Sequence, residues 1–192
     1  NANWFNALYF NGNSAEGIFE LQFDAQRLNP YYGMFASQLS NRRWTAAADL
    51  MDRLFTVDFT NDQNYDIRGD GGSVRAATST IWKYLGATST LPRSFDQSYA
   101  HWFFYRYADI LLMKAEALNE TSQGQAALDL VYTIRQRANA LPETDLNPAP
   151  SDKNLIQDFI LLERSRELCF EGKRWFDVLR NAKSNNYQRL SI

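Results

Sequence analysis

The stretch LLERSRELCFEGKRWFDVLRN, residues 161–181, holds the densest run of acidic and basic side chains in this 192-residue sequence. Glu163, Glu167 and Glu171 recur every four residues, so on a helix they share one face. Two carboxylates so placed can serve as general acid and general base, the pairing that glycosidases use. Arg166 follows Glu163 by three residues, and Arg174 precedes Asp177 by three. Both spacings bring opposite charges together across one helical turn. An arginine at that distance keeps a carboxylate ionised, which defeats a general acid. The pattern therefore predicts an ion-pair network locking a helix corner, formed by Glu163, Arg166, Glu167, Glu171, Arg174 and Asp177, with no catalytic residue among them.

Other chemistry is thinly represented. There is one cysteine, Cys169, and one histidine, His101. No internal disulfide can form, and the usual zinc set cannot be assembled. Cys169 falls in an amphipathic helix pattern and reads as a small core residue. A Ser-His-Asp triad would have to run through His101, inside YAHWFFYRY, where no nucleophile motif accompanies it. In NDQNYDIRGDGG, residues 61–72, Asp62, Asn64 and Asp66 have the first spacings of a calcium loop. Ile67 stands where that loop needs glycine, and Ser73 where it needs glutamate. We expect no metal or other cofactor there, and expect Asp66 to pair with Arg68 or cap the turn.

The elements that position these residues differ between the two parts of the chain. Residues 1–105 hold 21 of the 28 aromatic residues and lack long periodic stripes. IFELQF, residues 18–23, alternates as a half-buried strand, with Phe19, Leu21 and Phe23 on the inner side. NPYYG marks a turn around Tyr31 and Tyr32. WTAAADLMDRLF, residues 44–55, follows helical spacing with Thr45 as a cap. TSTIWKYLG reads as a short strand or extended segment ending at Gly86. From residue 105 the texture is helical. YRYADILLMKAEALNE puts Tyr107, Ile110, Leu111 and Leu118 on one face, and residues 125–139 carry Ala127, Leu130, Val131, Ile134 and Ala138. The short TSQG turn between them predicts antiparallel packing. A proline-bearing linker follows. Ser151 or Asp152 then caps a long helix running to Glu171, with a stop at Gly172 and a further helix over residues 173–180.

Composition narrows the function. A formal net charge of −2 argues against general affinity for nucleic acid or anionic lipid. No apolar run approaches the roughly 20 residues that span a bilayer. The chain opens NANWFNALYF, without a start Met or signal peptide, and closes NNYQRLSI. We expect it to be a piece of a longer protein.

Three ordered blocks carry a resemblance: YRYADILLMKAEALNE, ALDLVYTIRQRAN and LLERSRELCFEGKRWFDVLRN. Together they resemble the C-terminal part of the RagB/SusD family, surface glycan-binding lipoproteins of Bacteroidetes. Glu163, Arg164, Glu167, Phe170, Glu171, Gly172, Arg174, Phe176, Asp177 and Arg180 fill the places of that family's last motif. Residues 106–117 match its Arg-Tyr-Ala-Asp block. IWKY at 81–84 and DIR at 66–68 look like its upstream landmarks. The family's signal peptide, lipidated cysteine, N-terminal helical hairpins and Pro-rich tail have no counterpart in this sequence.

The resemblance implies a mainly α, SusD-like helical fold, with TPR-like antiparallel helix pairs, long irregular loops and little β. It implies one C-terminal SusD-like domain over residues 1–192, loop-rich and aromatic-rich over 1–104 and helical over 105–192. It implies non-catalytic binding of oligosaccharides at the outer cell surface. The ligand would pass to a SusC-like TonB-dependent outer-membrane barrel. Membrane contact would come only through an N-terminal lipid anchor outside this chain.

A sugar ring has an apolar C–H face and a rim of hydroxyls, so it suits a flat aromatic ring flanked by polar groups. Aromatics on loops can remain exposed for that purpose. The candidates are Tyr31, Tyr32, Arg42 beside Arg43, Trp44, and Trp102 beside His101. Trp82 and Trp175 read as core. Two other functions compete: a helical-repeat scaffold for protein partners, suggested by the Ala-rich helix pair, and a glycoside hydrolase using Glu163 or Glu171.

Overall fold

The computed structural model describes residues 8–36, 42–55, 66–140 and 147–187. The chain forms two compact units, Asn1–Thr56 with Asp66–Tyr107, and Val57–Tyr65 with Ala108–Ile192. It is mainly α, with little β among the described residues.

The first unit is built from short pieces: β1 (Gly17–Leu21), α1 (Tyr31–Phe35), β2 (Val74–Arg75), β3 (Thr80–Ile81) and β4 (Trp102–Arg106), with a π-helical turn at Met51–Phe55. β1 pairs antiparallel with β4, in a register that sets Glu20 opposite Phe103 and Leu21 opposite Trp102 and is irregular on both sides of Phe19. β2 and β3 form a second small antiparallel pair.

The strand expected at 18–23 is present over Gly17–Leu21, but the apolar side chains expected on its inner side are not buried. Ile18, Phe19 and Leu21 are exposed. The Glu20 side chain turns inward to His101 Nδ1 at 3.3 Å, and its Oε1 accepts the Asn13 backbone N–H at 2.8 Å. Polar partners on the inner side hold the glutamate, and Phe19 instead stacks outside on Phe104, with ring centroids 5.1 Å apart. The helix expected over 44–55 is also corrected. Arg43 and Trp44 give their N–H groups to the Met34 carbonyl, and Ala46 gives its N–H to Ser79. These bonds anchor residues 43–46 as a non-helical segment, and helical structure is confined to the last turns.

The second unit carries α2 (Tyr107–Glu120) from Ala108 onward, α3 (Gly124–Arg137), α4 (Lys153–Glu167) and α5 (Arg174–Ser184). Its core is Ala108, Leu112, Ala115, Ala127, Leu128, Val131, Ile134, Ile156, Phe159 and Ile160. Gly124 lets α3 begin against the segment before α4, because a Cβ there would lie 2.0 Å from the Pro150 carbonyl oxygen. Asp152 caps α4, accepting the Leu155 N–H at 2.9 Å.

Three expectations about faces and ends change here. On α2 the small residues face inward while Tyr107 and Ile110 are exposed. Alanines permit close packing, and Asp109 must face inward to meet cations from α4 and the turn after it. α4 ends at Glu167 rather than Glu171, since Phe170 takes φ +65 and Gly172 φ +76. The left-handed Phe170 breaks the ladder at a cost of about 1–2 kcal/mol. Trp175 is 67% exposed rather than core. Asp177 and Asn181, one turn apart, occupy the inward face of α5 and turn Trp175 and Phe176 outward. Cys169 is buried.

Candidate functional site

In the first unit the aromatic residues organise around a stack. Asn29 fixes its geometry. Its Oδ1 accepts the Tyr31 N–H at 2.8 Å, its Nδ2 donates to the Ala100 carbonyl at 2.6 Å, and its backbone N–H donates to Ser98 at 2.6 Å. This clamp holds the start of α1 against the segment leading into β4, residues far apart in sequence. Pro30, with φ −66, starts α1 directly after the clamp.

Tyr31 and Trp102 are thereby brought together, with ring centroids 4.8 Å apart and planes tilted by 45°. Trp102 stacks on Tyr84 at 5.2 Å and 18°, Tyr84 on Phe35 at 5.7 Å, and Phe35 on Tyr31 at 5.9 Å. Beneath them Tyr9 meets Tyr84 and Phe103 edge-on, each at 5.5 Å. Phe35, Tyr84, Tyr9 and Phe103 are buried, whereas Tyr31 and Trp102 are half-buried. The arrangement is an aromatic column whose upper two rings still reach solvent. Offset and tilted contacts of this kind each add about 0.5–1.5 kcal/mol beyond area burial.

The other candidates separate. Trp44 is 58% exposed and is tied to the end of α1 through Met34. Tyr32 is only 4% exposed; its hydroxyl donates to the Arg93 carbonyl at 2.7 Å, and its ring packs edge-on against Phe95. It faces the interior because α1 can present only one of two adjacent tyrosines to solvent, so the expectation that it offers a binding ring is corrected. Arg42 holds backbone: its Nη2 donates to Thr78 and Ser79 carbonyls at 3.1 and 2.6 Å. Arg43 is exposed. His101 is buried beside Glu20, and Trp82 is buried with its Nε1–H donated to the Thr88 carbonyl at 2.8 Å. Asp66 holds the buried Arg68 through both carboxylate oxygens at 2.9 and 2.7 Å. Asp62 and Asn64 lie outside the described residues.

The second unit contains the charged corner. Glu163 is fully buried and accepts from Arg135 at 3.0 Å and Arg166 at 3.2 Å. Arg137 donates to Glu167. Arg174 reaches the Leu161 carbonyl at 3.3 Å, and Glu171 is buried. Arg164, which the spacing argument passed over, joins three elements: it meets Asp109 of α2 at 2.9 Å and Asp177 of α5 at 2.9 Å. Lys173 adds a second cation on Asp109 at 3.1 Å, and Arg180 pairs with both Asp177 and Glu116. Burial alone would lower the Arg180 pKa, but the carboxylates of Glu116 and Asp177 outweigh it and raise it. A fully buried Glu163 held by two guanidiniums offers no access to a substrate. The signal that could have exposed the hub was Asp109, an acid inside the apolar stretch of α2.

Residues 41–191 match the sequence model of the SusD family. SusD-like protein P38 of Formosa agariphila is 46% identical over 85 residues, which are 42% of this chain and 17% of that protein. SusD-like protein P2 of the same organism is 38% identical over 111 residues, 55% of this chain and 21% of that protein. The chain thus aligns with about a fifth of the length of these curated relatives. Among solved structures, a SusD superfamily protein from Bacteroides vulgatus superposes with a TM-score of 0.60 at 22% identity, over 97% of this chain and 45% of that one. A SusD-like carbohydrate binding protein from Bacteroides vulgatus gives a TM-score of 0.60 at 16% identity, over 93% and 37%. At these identities the superpositions establish the fold.

Proposed function

The chain belongs to the SusD family, and on that premise we propose that it is a non-catalytic, glycan-binding part of a cell-surface nutrient-uptake protein. The observation that carries this reading is the Tyr31 and Trp102 pair, held half-exposed on a buried aromatic column. Two tilted rings give a sugar chain a pre-formed apolar platform, so little ordering is needed on binding. Trp44 is a further exposed ring, tethered to the same helix. A relative described as carbohydrate binding supports the ligand class. In the whole protein, outer-membrane anchoring by lipid and transfer of the ligand to a SusC-like TonB-dependent barrel complete the reading. A shallow platform binds weakly, which suits release to a transporter.

Affinity electrophoresis and calorimetry against a polysaccharide panel test it. At least one neutral glycan should bind, and Tyr31→Ala and Trp102→Ala should each weaken it. A panel without a single binder, or a binder indifferent to both changes, would sink the proposal.

A scaffold reading has its own support in the exposed side chains of α2 (Tyr107, Ile110, Met113) and α5 (Trp175, Phe176). It requires a protein partner, such as an outer-membrane barrel, that still co-purifies with Tyr31→Ala/Trp102→Ala and is lost in Trp175→Ser.

A further inference from the structure

We propose that the cleft between residues 66–72 and residues 86–89 of the first unit is a second binding site, taking one neutral sugar unit. This inference rests on the glycan-binding reading but uses residues that the aromatic platform does not. The cleft encloses about 160 Å³ between Ile67, Asp70, Gly71, Trp82, Gly86 and Ser89. At about 30 Å³ for each liquid water, that is room for roughly five waters. It is smaller than the clefts of about 300–1,000 Å³ that hold drug-sized ligands. A space of that size takes at most a single ring, and not a chain of rings.

The walls are built before any ligand arrives. Gly71 has φ +79, and a Cβ on it would lie 2.7 Å from Ser89 Cβ. A Cβ on Gly86 would lie 2.4 Å from Trp82 Nε1. The rims can approach at Gly71, and the Trp82 indole can lie against Gly86, only because these positions carry no side chain. Trp82 Nε1 donates to the Thr88 carbonyl at 2.8 Å, Gly86 N–H to the Trp82 carbonyl at 2.8 Å, and Gly71 N–H to the Val74 carbonyl at 2.8 Å. These bonds hold both rims, so the cleft costs little to order.

The lining selects the ligand class. Ile67, the indole of Trp82 and the glycine Cα atoms are apolar, and Asp70, Thr88 and Ser89 are polar. Asp70 is matched by Arg75 at 2.9 Å, and its other oxygen accepts the Ala76 N–H at 2.8 Å. Lys83 carries its ammonium over the Tyr9 ring, 5.6 Å from the centroid. With Asp70 matched by Arg75 and the Lys83 ammonium engaged on the Tyr9 ring, the cleft presents hydrogen-bonding groups beside apolar surface, which matches a neutral polyol better than a metal ion. Trp82 also lies two residues before Tyr84 of the aromatic column, at most about 7 Å along the chain. The cleft and the platform therefore share one structural segment.

The test titrates the isotope-labelled full chain with methyl glycosides of glucose, galactose, mannose and xylose, with methyl glucuronide as an anionic control. Signals are read at the amides of Gly71, Gly72 and Gly86 and at the Trp82 indole N–H. At least one neutral glycoside should shift them. Ser89→Trp, which fills the mouth, should weaken that response at least about tenfold, whereas Leu155→Ala, an exposed position of the other unit, should leave it intact. If Ser89→Trp fails to fold, Ala87→Leu narrows the same mouth. Motionless signals with every neutral glycoside, an unchanged response in the filled variant, or preference for the glucuronide would overturn the proposal. Loss of oligosaccharide binding in Trp102→Ala with silent cleft signals removes the cleft and keeps the platform. Cleft signals alongside oligosaccharide binding indifferent to Trp102→Ala keep the cleft and remove the platform.

Discussion

Asn29 has no flat ring and no formal charge, yet it decides where two flat rings meet. Its three hydrogen bonds join the Tyr31 turn to the segment before Trp102. Asn29→Ala should reduce glycan affinity as strongly as loss of a ring and should lower stability by about 1–3 kcal/mol, because buried groups lose partners. Calorimetry and urea unfolding on the same variant measure both. Tyr32→Phe separates a buried tyrosine from a binding one. It deletes the hydroxyl bonded to Arg93 and should cost about 1 kcal/mol in unfolding free energy, with glycan affinity unchanged. A drop in affinity would return Tyr32 to the binding surface. Sequence reasoning could name these aromatics, since unpatterned rings near Pro and Gly advertise irregular structure. It could not rank them, because Tyr31 and Tyr32 are neighbours of the same chemistry and only their environments differ.

Helices α2, α4 and α5 are joined through charge. Arg164 reaches Asp109 and Asp177 on two other elements, while Glu163 holds Arg135 of α3 and Arg166. Removing one partner of a buried pair costs about 3–5 kcal/mol, against a typical total of about 5–15 kcal/mol. Glu163→Gln and Arg164→Met should each lower the urea midpoint steeply. Arg164→Lys should restore little, because a point charge cannot replace the planar fork between two carboxylates. Glycan-binding capacity of the chain that remains folded should be unaltered, since the aromatic platform belongs to the other unit. The existence of these helices was legible from their apolar spacing and caps. Their inward faces were less so: α2 buries Asp109 beside Leu112 and its alanines, and α5 buries Asp177 and Asn181. Outward Trp175 and Phe176 follow from that, and Trp175→Ser should move stability by no more than about 0.5 kcal/mol.

At the scale of the whole molecule, a neutral ligand held by ring faces and hydroxyl contacts should bind almost equally at low and high salt. Charge-steered binding would weaken as ionic screening increases. Calorimetry at two ionic strengths distinguishes them, and a marked loss of affinity in high salt would contradict an aromatic platform. Three ordered motif blocks sufficed to indicate the family, because a family motif records which side chains must meet even when the meeting cannot be seen. Apolar periodicity likewise determined the helices of the second unit, since a buried stripe at helical spacing is a local property. Burial of Glu20 in place of Phe19, the halted helix near Trp44, the Arg164 hub and the glycine-walled cleft were decided by tertiary structure. Each depends on a partner distant in sequence: His101 for Glu20, Met34 and Ser79 for the 43–46 backbone, Asp109 for Arg164, Ser89 for Gly71. Local pattern carries the cost of exposing a side chain, but only the folded chain supplies the partner that makes burying a charge or ending a helix favourable.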